Sequence, residues 1–178
     1  GDPTETALLQ AAHLAGLDVE GLRSSIPRID ERPFDSTRKR MSTIHGALGG
    51  GIAELAALPQ DRTISFVKGA PDGLIEHATA VYDGTEVVQL DASWRQRALD
   101  ANNALAARGM RVLGVAYRTI DGSDDDPESS LTLLGLVGII DPPRAEVRDA
   151  VAVCRSAGIR PVMITGDHPA TASNIAGK

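Results

Sequence analysis

Several short stretches of the chain carry residue types suited to holding a phosphorylated ligand. In Lys68-Gly69-Ala70-Pro71 a lysine ends a strand-like run. Beside it stand a glycine that lets a ligand approach the backbone and a helix start whose free amides favour anions. The alternative is a surface lysine ahead of an ordinary strand-to-helix turn. Phe34 lies in Pro33-Phe34-Asp35-Ser36-Thr37-Arg38-Lys39-Arg40, an aromatic beside a basic run. Stacking of a base on an aromatic face contributes roughly 1–3 kcal/mol, and nearby cations such as Lys39 meet phosphate; a core Phe with a solvated charged strand end is the other reading. Arg111 could add a bidentate phosphate or ribose contact, or be a strand-end surface arginine. Glu5 is explained by helix capping, with a role toward adenine or ribose as the alternative. Thr165-Gly166-Asp167 closes an apolar run with a hydroxyl, a flexible residue and a carboxylate, a set suited to a phosphoryl oxygen and a metal-linked water.

Other chemistries find no support. The histidines His13, His45, His77 and His168 have no partner at ligand spacing, so no metal site is assigned. No Ser-His-Asp or Cys-His pattern, Walker-type phosphate loop or dinucleotide fingerprint is present. The single cysteine, Cys154, cannot form an internal disulfide and falls inside an amphipathic helix, where inert packing is expected. Across 178 residues, 18 Lys plus Arg stand against 24 Asp plus Glu, a net charge of -6. That makes nucleic acid a poor partner. With 42% hydrophobic residues the chain can build a core. Its longest apolar stretch, Leu131 to Ile140, is strand-length and broken by Thr132 and glycines, well short of a membrane span, and no signal peptide is evident.

These residues need elements to position them. Asp2 as N-cap, Pro3 at N1 and Glu5 at N3 open a helix with Leu8, Ala11, Ala12 and Ala15 at helical spacing, which Gly16 stops. Strands are expected at Lys39 to His45 and Thr63 to Lys68, with a short helix near Asp72 to Ala78. Asp83-Gly84 between Val81-Tyr82 and Val87-Val88 signals a hairpin. Ser93 and Gln96 open a helix with Trp94, Ala98, Ala101 and Leu105 on one face and Gly109 as its cap. Arg111 to Tyr117 and Leu131 to Ile140 read as strands, separated by an acidic, solvated loop, Asp121 to Pro127.

The character changes at Asp141-Pro142-Pro143-Arg144, a stiff hinge. Beyond it come a helix (Glu146 to Ala157), a cap (Gly158), a strand (Arg160 to Thr165), a loop at Gly166-Asp167 and a further helix from Pro169. That pattern is one slice of a parallel α/β sheet whose ligands bind at strand ends. The expected fold is therefore α+β running into α/β: a mostly antiparallel sheet flanked by helices, followed by a partial Rossmann-like segment. Both ends of the sequence suggest a segment cut from a longer chain.

Taken in order, Gly1-Asp2-Pro3-Thr4-Glu5-Thr6-Ala7-Leu8, Phe34 with Lys39 and Met41, Lys68-Gly69-Ala70-Pro71, Gly109-Met110-Arg111-Val112-Leu113, Asp141-Pro142-Pro143-Arg144 and Met163-Ile164-Thr165-Gly166-Asp167 resemble the P-type cation-transporting ATPases, in particular the calcium-pump-like branch. The resemblance runs over essentially the whole chain. It implies that residues 1–140 form most of the nucleotide-binding domain, without its first strands, and that 141–178 enter the haloacid-dehalogenase-like phosphorylation domain. It also implies that Glu5, Phe34, Lys39, Met41, Lys68, Gly69, Ala70 and Arg111 line an ATP site, with the aromatic ring on adenine. Asp141, Thr165, Gly166 and Asp167 would belong to the phosphorylation site or its hinge. The full family reaction transfers the ATP γ-phosphoryl to an aspartate, with Mg²⁺, and couples this to moving a cation across a membrane on whose cytoplasmic face the domain would lie.

The sequence lacks both the Asp-Lys-Thr-Gly-Thr segment with the phosphorylated aspartate and the Gly-Asp-Gly-x-Asn-Asp metal-binding segment. The chain is thus expected to bind nucleotide without turnover. Its partners by resemblance are ATP and the phosphorylation, actuator and membrane parts of the same polypeptide. Bare sheet edges invite self-association, and the strand at Pro161 to Thr165 is expected to pack on another copy or in a non-native position. Two other functions stay open on the residues. A haloacid-dehalogenase-like phosphohydrolase would need a strand-end Asp-x-Asp pair, which is not found ahead of Thr165. A non-enzymatic interaction domain would keep the fold and not respond to ATP.

Overall fold

The computed structural model describes residues 2–47, 58–59, 61–122, 126–140 and 145–164. Helix α1 (Pro3–Leu14) starts as its sequence demands: the Asp2 carboxylate accepts from the Thr4 amide at 2.7 Å, and Pro3 takes the first helical position, where its missing N–H costs nothing. Helix α2 (Val19–Ser25) is capped in the same way by Asp18, which accepts from Gly21. Then follow β1 (Arg28–Asp35), β2 (Arg40–His45), β3 (Thr63–Gly69), α3 (Pro71–His77), β4 (Ala78–Tyr82), β5 (Val87–Gln89), α4 (Ala92–Ala107), β6 (Arg111–Ile120), β7 (Leu131–Ile139) and α5 (Ala145–Ser156).

Among the described residues seven strands make one sheet in the order β1-β2-β3-β6-β7-β4-β5. Every pairing is antiparallel except β4 with β7. The mostly antiparallel α+β sheet with helices is therefore as expected.

Register alternation gives the sheet two faces. One carries Val67, Ala116, Leu131 and Leu133, and α3 and α4 cover it with Leu74, Ile75, Trp94 and Ala98. Arg95 of α4 donates to the carbonyl of Ile75 near the end of α3 and to that of Ala78, the first residue of β4, fastening α4 to the α3–β4 junction. On the other face Ile64 and Tyr117 are buried with Ile26 and Leu58, and Leu22 of α2 and Phe66 pack against them.

Two expectations are corrected, and two features were not anticipated. The cap of α4 is Asp91, which accepts from the Trp94 amide at 2.8 Å, so Ser93 lies inside the helix. α2 and β1 occupy a stretch between Gly16 and Lys39 for which no element was expected, and Glu128, just beyond the acidic loop, is 1% exposed. α5 ends as expected at Gly158 (φ +74°), but residues 160–164 form no strand. An apolar run becomes a strand only against a neighbour that takes its backbone hydrogen bonds, and none lies beside it among the described residues; Val162 and Ile164 are exposed. The hinge Asp141 to Arg144 lies outside the described residues.

Candidate functional site

The open end of the second face gathers most of the residues singled out in the sequence. β2 and β3 pair so that Met41 stands opposite Lys68, and Lys68 stands opposite Val115 of β6. Directly opposed residues share a face, so Met41 and Lys68 are side by side there. Helix α1 reaches the same corner. Its Glu5 carboxylate pairs with the Lys68 ammonium, whose side chain is 24% exposed. The Thr4 hydroxyl lies at 3.5 Å from a terminal nitrogen of Arg111, at the start of β6. The first turn of α1 thus bridges the two cations. Asp2 titrates below the usual aspartate range, chiefly because the Thr4 amide donates to it, with a smaller contribution from the charge of Arg111.

Phe34 occupies an irregularity in β1. Arg32 pairs with Ser42 and Asp35 with Arg40, so two residues, Pro33 and Phe34, stand opposite the single Met41. The ring is 63% exposed. At about 4.8 Å per strand, Phe34 and Lys68 are separated by two strand spacings, about 10 Å.

Lys39 closes the turn between β1 and β2 with φ +53°, a left-handed conformation that is strained for a residue with a Cβ. The Asp35 carboxylate accepts from the Thr37 and Arg38 amides at 2.9 and 2.8 Å, and the Lys39 amide donates to the Asp35 carbonyl at 2.6 Å. The first of these partners to matter is Arg38, whose amide holds the Asp35 carboxyl below its usual range. Lys39 is exposed, and its ammonium pairs with no acidic group among the described residues.

The structure gives Gly69 a reason that the sequence did not. A Cβ there would come within 2.5 Å of both the Lys39 carbonyl oxygen and the Arg40 Cβ, so the glycine admits the neighbouring strand of its own chain. Ala70 precedes α3 and donates to the Lys39 carbonyl at 2.9 Å, without a side-chain cap. Glu5, Met41, Lys68 and Arg111 are thus brought to one corner, with Lys39, Gly69 and Ala70 meeting at the edge of that corner and Phe34 on the adjoining strand. Asp141, Thr165, Gly166 and Asp167 lie outside the described residues.

Sequence reading missed Glu128. Its carboxylate accepts from Arg38, from Arg40 Nε at 2.9 Å and from the Ser42 hydroxyl at 3.1 Å. Burial alone would push its carboxyl up, but the Arg38 and Arg40 guanidiniums and the Ser42 hydroxyl outweigh burial and hold it below the ordinary glutamate range. The available signal was a glutamate following Pro127 in a chain with an unpartnered Arg-Lys-Arg run, too general to single it out. Among the described residues no group of three His, Cys, Asp or Glu is arranged to hold a metal ion, and no helix is long and apolar enough to cross a membrane.

Comparison with known proteins places the chain in a family. Residues 1–146 match the family model described as P-type ATPase, cytoplasmic domain N. The chain is 43% identical to the calcium-transporting ATPase of Bacillus subtilis over 183 residues, covering 99% of this chain and 19% of that protein. It is 39% identical to calcium-transporting ATPase 1 of Bacillus cereus over 179 residues, again 99% of this chain and 19% of the relative. It is 37% identical to the sodium/potassium-transporting ATPase subunit alpha-2 of Gallus gallus, over 99% of this chain and 18% of the relative. The chain spans about a fifth of the length of these curated relatives. The order of motifs, the antiparallel sheet and the match over residues 1–146 lead to one conclusion: the chain belongs to the P-type cation-transporting ATPases.

Proposed function

We propose that the chain is the ATP-binding portion of a P-type cation pump, which presents the γ-phosphate to an aspartate on another part of the same polypeptide. In this reading residues 1–140 are the nucleotide-binding domain and 141–178 begin the phosphorylation domain, both on the cytoplasmic face of a membrane. The observation that carries it is the Phe34 ring. A chain with only two Phe, two Tyr and one Trp leaves this ring 63% exposed, at a bulge opposite Met41, beside the turn of Lys39 and two strands from Lys68. Core packing does not explain an open aromatic next to a basic turn, whereas a purine with its phosphates has both a face to stack and charge to neutralise.

In binding, Phe34 supplies the stacking surface and Lys39 an exposed ammonium for the nucleotide's polar parts. Lys68 and Arg111 supply cations that α1 otherwise engages through Glu5 and Thr4, so the nucleotide competes with or joins that first turn. Magnesium would arrive with ATP and with the rest of the polypeptide, because the described residues offer no carboxylate cluster for it. The 178 residues contain no Asp-Lys-Thr-Gly-Thr segment, so the isolated chain binds without turnover. The matched relatives are named for calcium and for sodium and potassium, so the transported cation is chosen by other parts of the protein.

The test is an ATP titration of the wild type, Phe34→Ala and Lys68→Ala. Wild-type affinity should be about millimolar or somewhat tighter, roughly 4 kcal/mol. Both variants should bind more weakly. If both bind as the wild type does, the nucleotide site lies elsewhere.

A further inference from the structure

Glu128 is a buried carboxylate with no part in the site described above, and it comes from the far side of the sheet. Arg40 and Ser42 alternate with Met41 along β2, so they point to the face opposite Met41 and Lys68. From there Glu128, on the segment that leads into β7, binds both of them and also Arg38. Arg38 further donates to the Pro33 carbonyl at 2.9 Å, in the bulge that holds Phe34. Two of the three successive cations Arg38, Lys39 and Arg40 are therefore tied down on one carboxylate 1% exposed. The third, between them, is left in the strained left-handed conformation with its ammonium exposed.

We propose that Glu128 is a positioning residue for the nucleotide site: by clamping Arg38 and Arg40 from behind the sheet it fixes the turn that presents Lys39 and the bulge that presents Phe34. The proposal rests on the nucleotide reading above. A left-handed residue with a side chain persists only where its surroundings over-determine it. The local Asp35 turn closes the loop, but it leaves three like charges in a row. Glu128 neutralises two of them and anchors the residues on either side of the strained one. Removing the negative charge lets the arginines repel one another and Lys39, and the turn relaxes away from positive φ.

The experiment compares the 178-residue chain as wild type, Glu128→Gln and Leu133→Ala, a core variant in β7 on the face opposite Met41 and Lys68 that serves as a control for lost stability. Each is titrated with ATP, and the intraresidue amide–Hα NOE of Lys39, strong only at positive φ, is read by NMR. Glu128→Gln should raise the Kd about ten-fold, equivalent to about 1.4 kcal/mol, and weaken the Lys39 NOE. Leu133→Ala should change neither. A folded Glu128→Gln with wild-type Kd overturns the proposal, as does a Leu133→Ala that weakens ATP binding equally. Should Glu128→Gln not fold, Arg38→Gln, which leaves Glu128 paired with Arg40 and Ser42, carries the test: a raised Kd with a weakened NOE supports positioning, and an unchanged Kd overturns it. Absence of ATP binding in the wild type overturns the nucleotide reading and this proposal together, whereas binding that is indifferent to Glu128 overturns this proposal alone.

Discussion

The face of the sheet under α3 and α4 is closed by apolar side chains, with Leu74 and Leu131 fully buried. The opposite face is apolar at the end near Ile64 and Tyr117, and at its other end it carries Met41, Lys68 and Arg111 under the polar first turn of α1. Helix α1 has no buried residue at all. The first face holds the fold together by removing area from water, and the open end of the second keeps ionic groups within reach of solvent at little cost in stability. Stability and ligand contact are thus assigned to different surfaces of the same strands. Val67 and Lys68 are adjacent in sequence and serve one purpose each.

Mutations of the apolar side chains under α3 and α4 should therefore move stability without moving the site. Leu131→Ala should cost about 2–5 kcal/mol in urea unfolding, and ATP affinity measured well below the transition should stay at its wild-type value. A large change in affinity would show that the apolar core also shapes the site.

Next in size is an acid effect that connects them. The folded-state carboxyl of Glu128 lies below its unfolded value, so the native state binds fewer protons there and stability rises with pH. The contribution is complete above the ordinary glutamate range, about 4.3, and is lost as pH falls through the depressed folded value. Urea midpoints measured from neutral pH downward should fall more steeply in the wild type than in Glu128→Gln, and parallel curves would remove Glu128 from the acid response.

On the open face the effects reverse. Phe34→Ala should weaken ATP binding by about 1–3 kcal/mol while leaving unfolding within about 0.5 kcal/mol, because a ring 63% exposed contributes little packing. Smallest of all, Glu5→Gln should change stability by no more than about 1 kcal/mol, since the Glu5 side chain is 50% exposed. Added salt should erase that difference in calorimetry.

Much of the fold is legible in the sequence because its signals are local. Asp2 and Pro3 announce α1, Gly109 (φ +76°) ends α4 as expected, and the Asp83-Gly84 turn joins β4 to β5. The α4 cap was misplaced because Asp91 and Ser93 are both good capping residues two positions apart, and geometry alone chose Asp91. β1 was invisible for a physical reason: among the described residues it is an edge strand paired to β2 alone, exposed along almost its whole length, so Arg28-Ile29-Asp30-Glu31-Arg32 shows no apolar alternation. At the site, the residue types of Lys68, Arg111 and Phe34 suggested contact with a nucleotide, but not that α1 would already engage two of them. Glu128 could not be read at all, because its partners lie 86 to 90 positions away along the chain.

At Gly69 the strands β2 and β3 come together with no room for even one methyl group, since a Cβ would overlap the Arg40 Cα, 2.8 Å away, as well as the atoms beyond it. Any side chain there would act as a wedge at the foot of the β2–β3 seam. It would prise apart the point where Lys39 is hitched by its carbonyl to the Ala70 amide. A single missing carbon thus keeps the basic turn latched to the start of α3, and an alanine at this one position should unfasten the corner while the far end of the sheet stays shut.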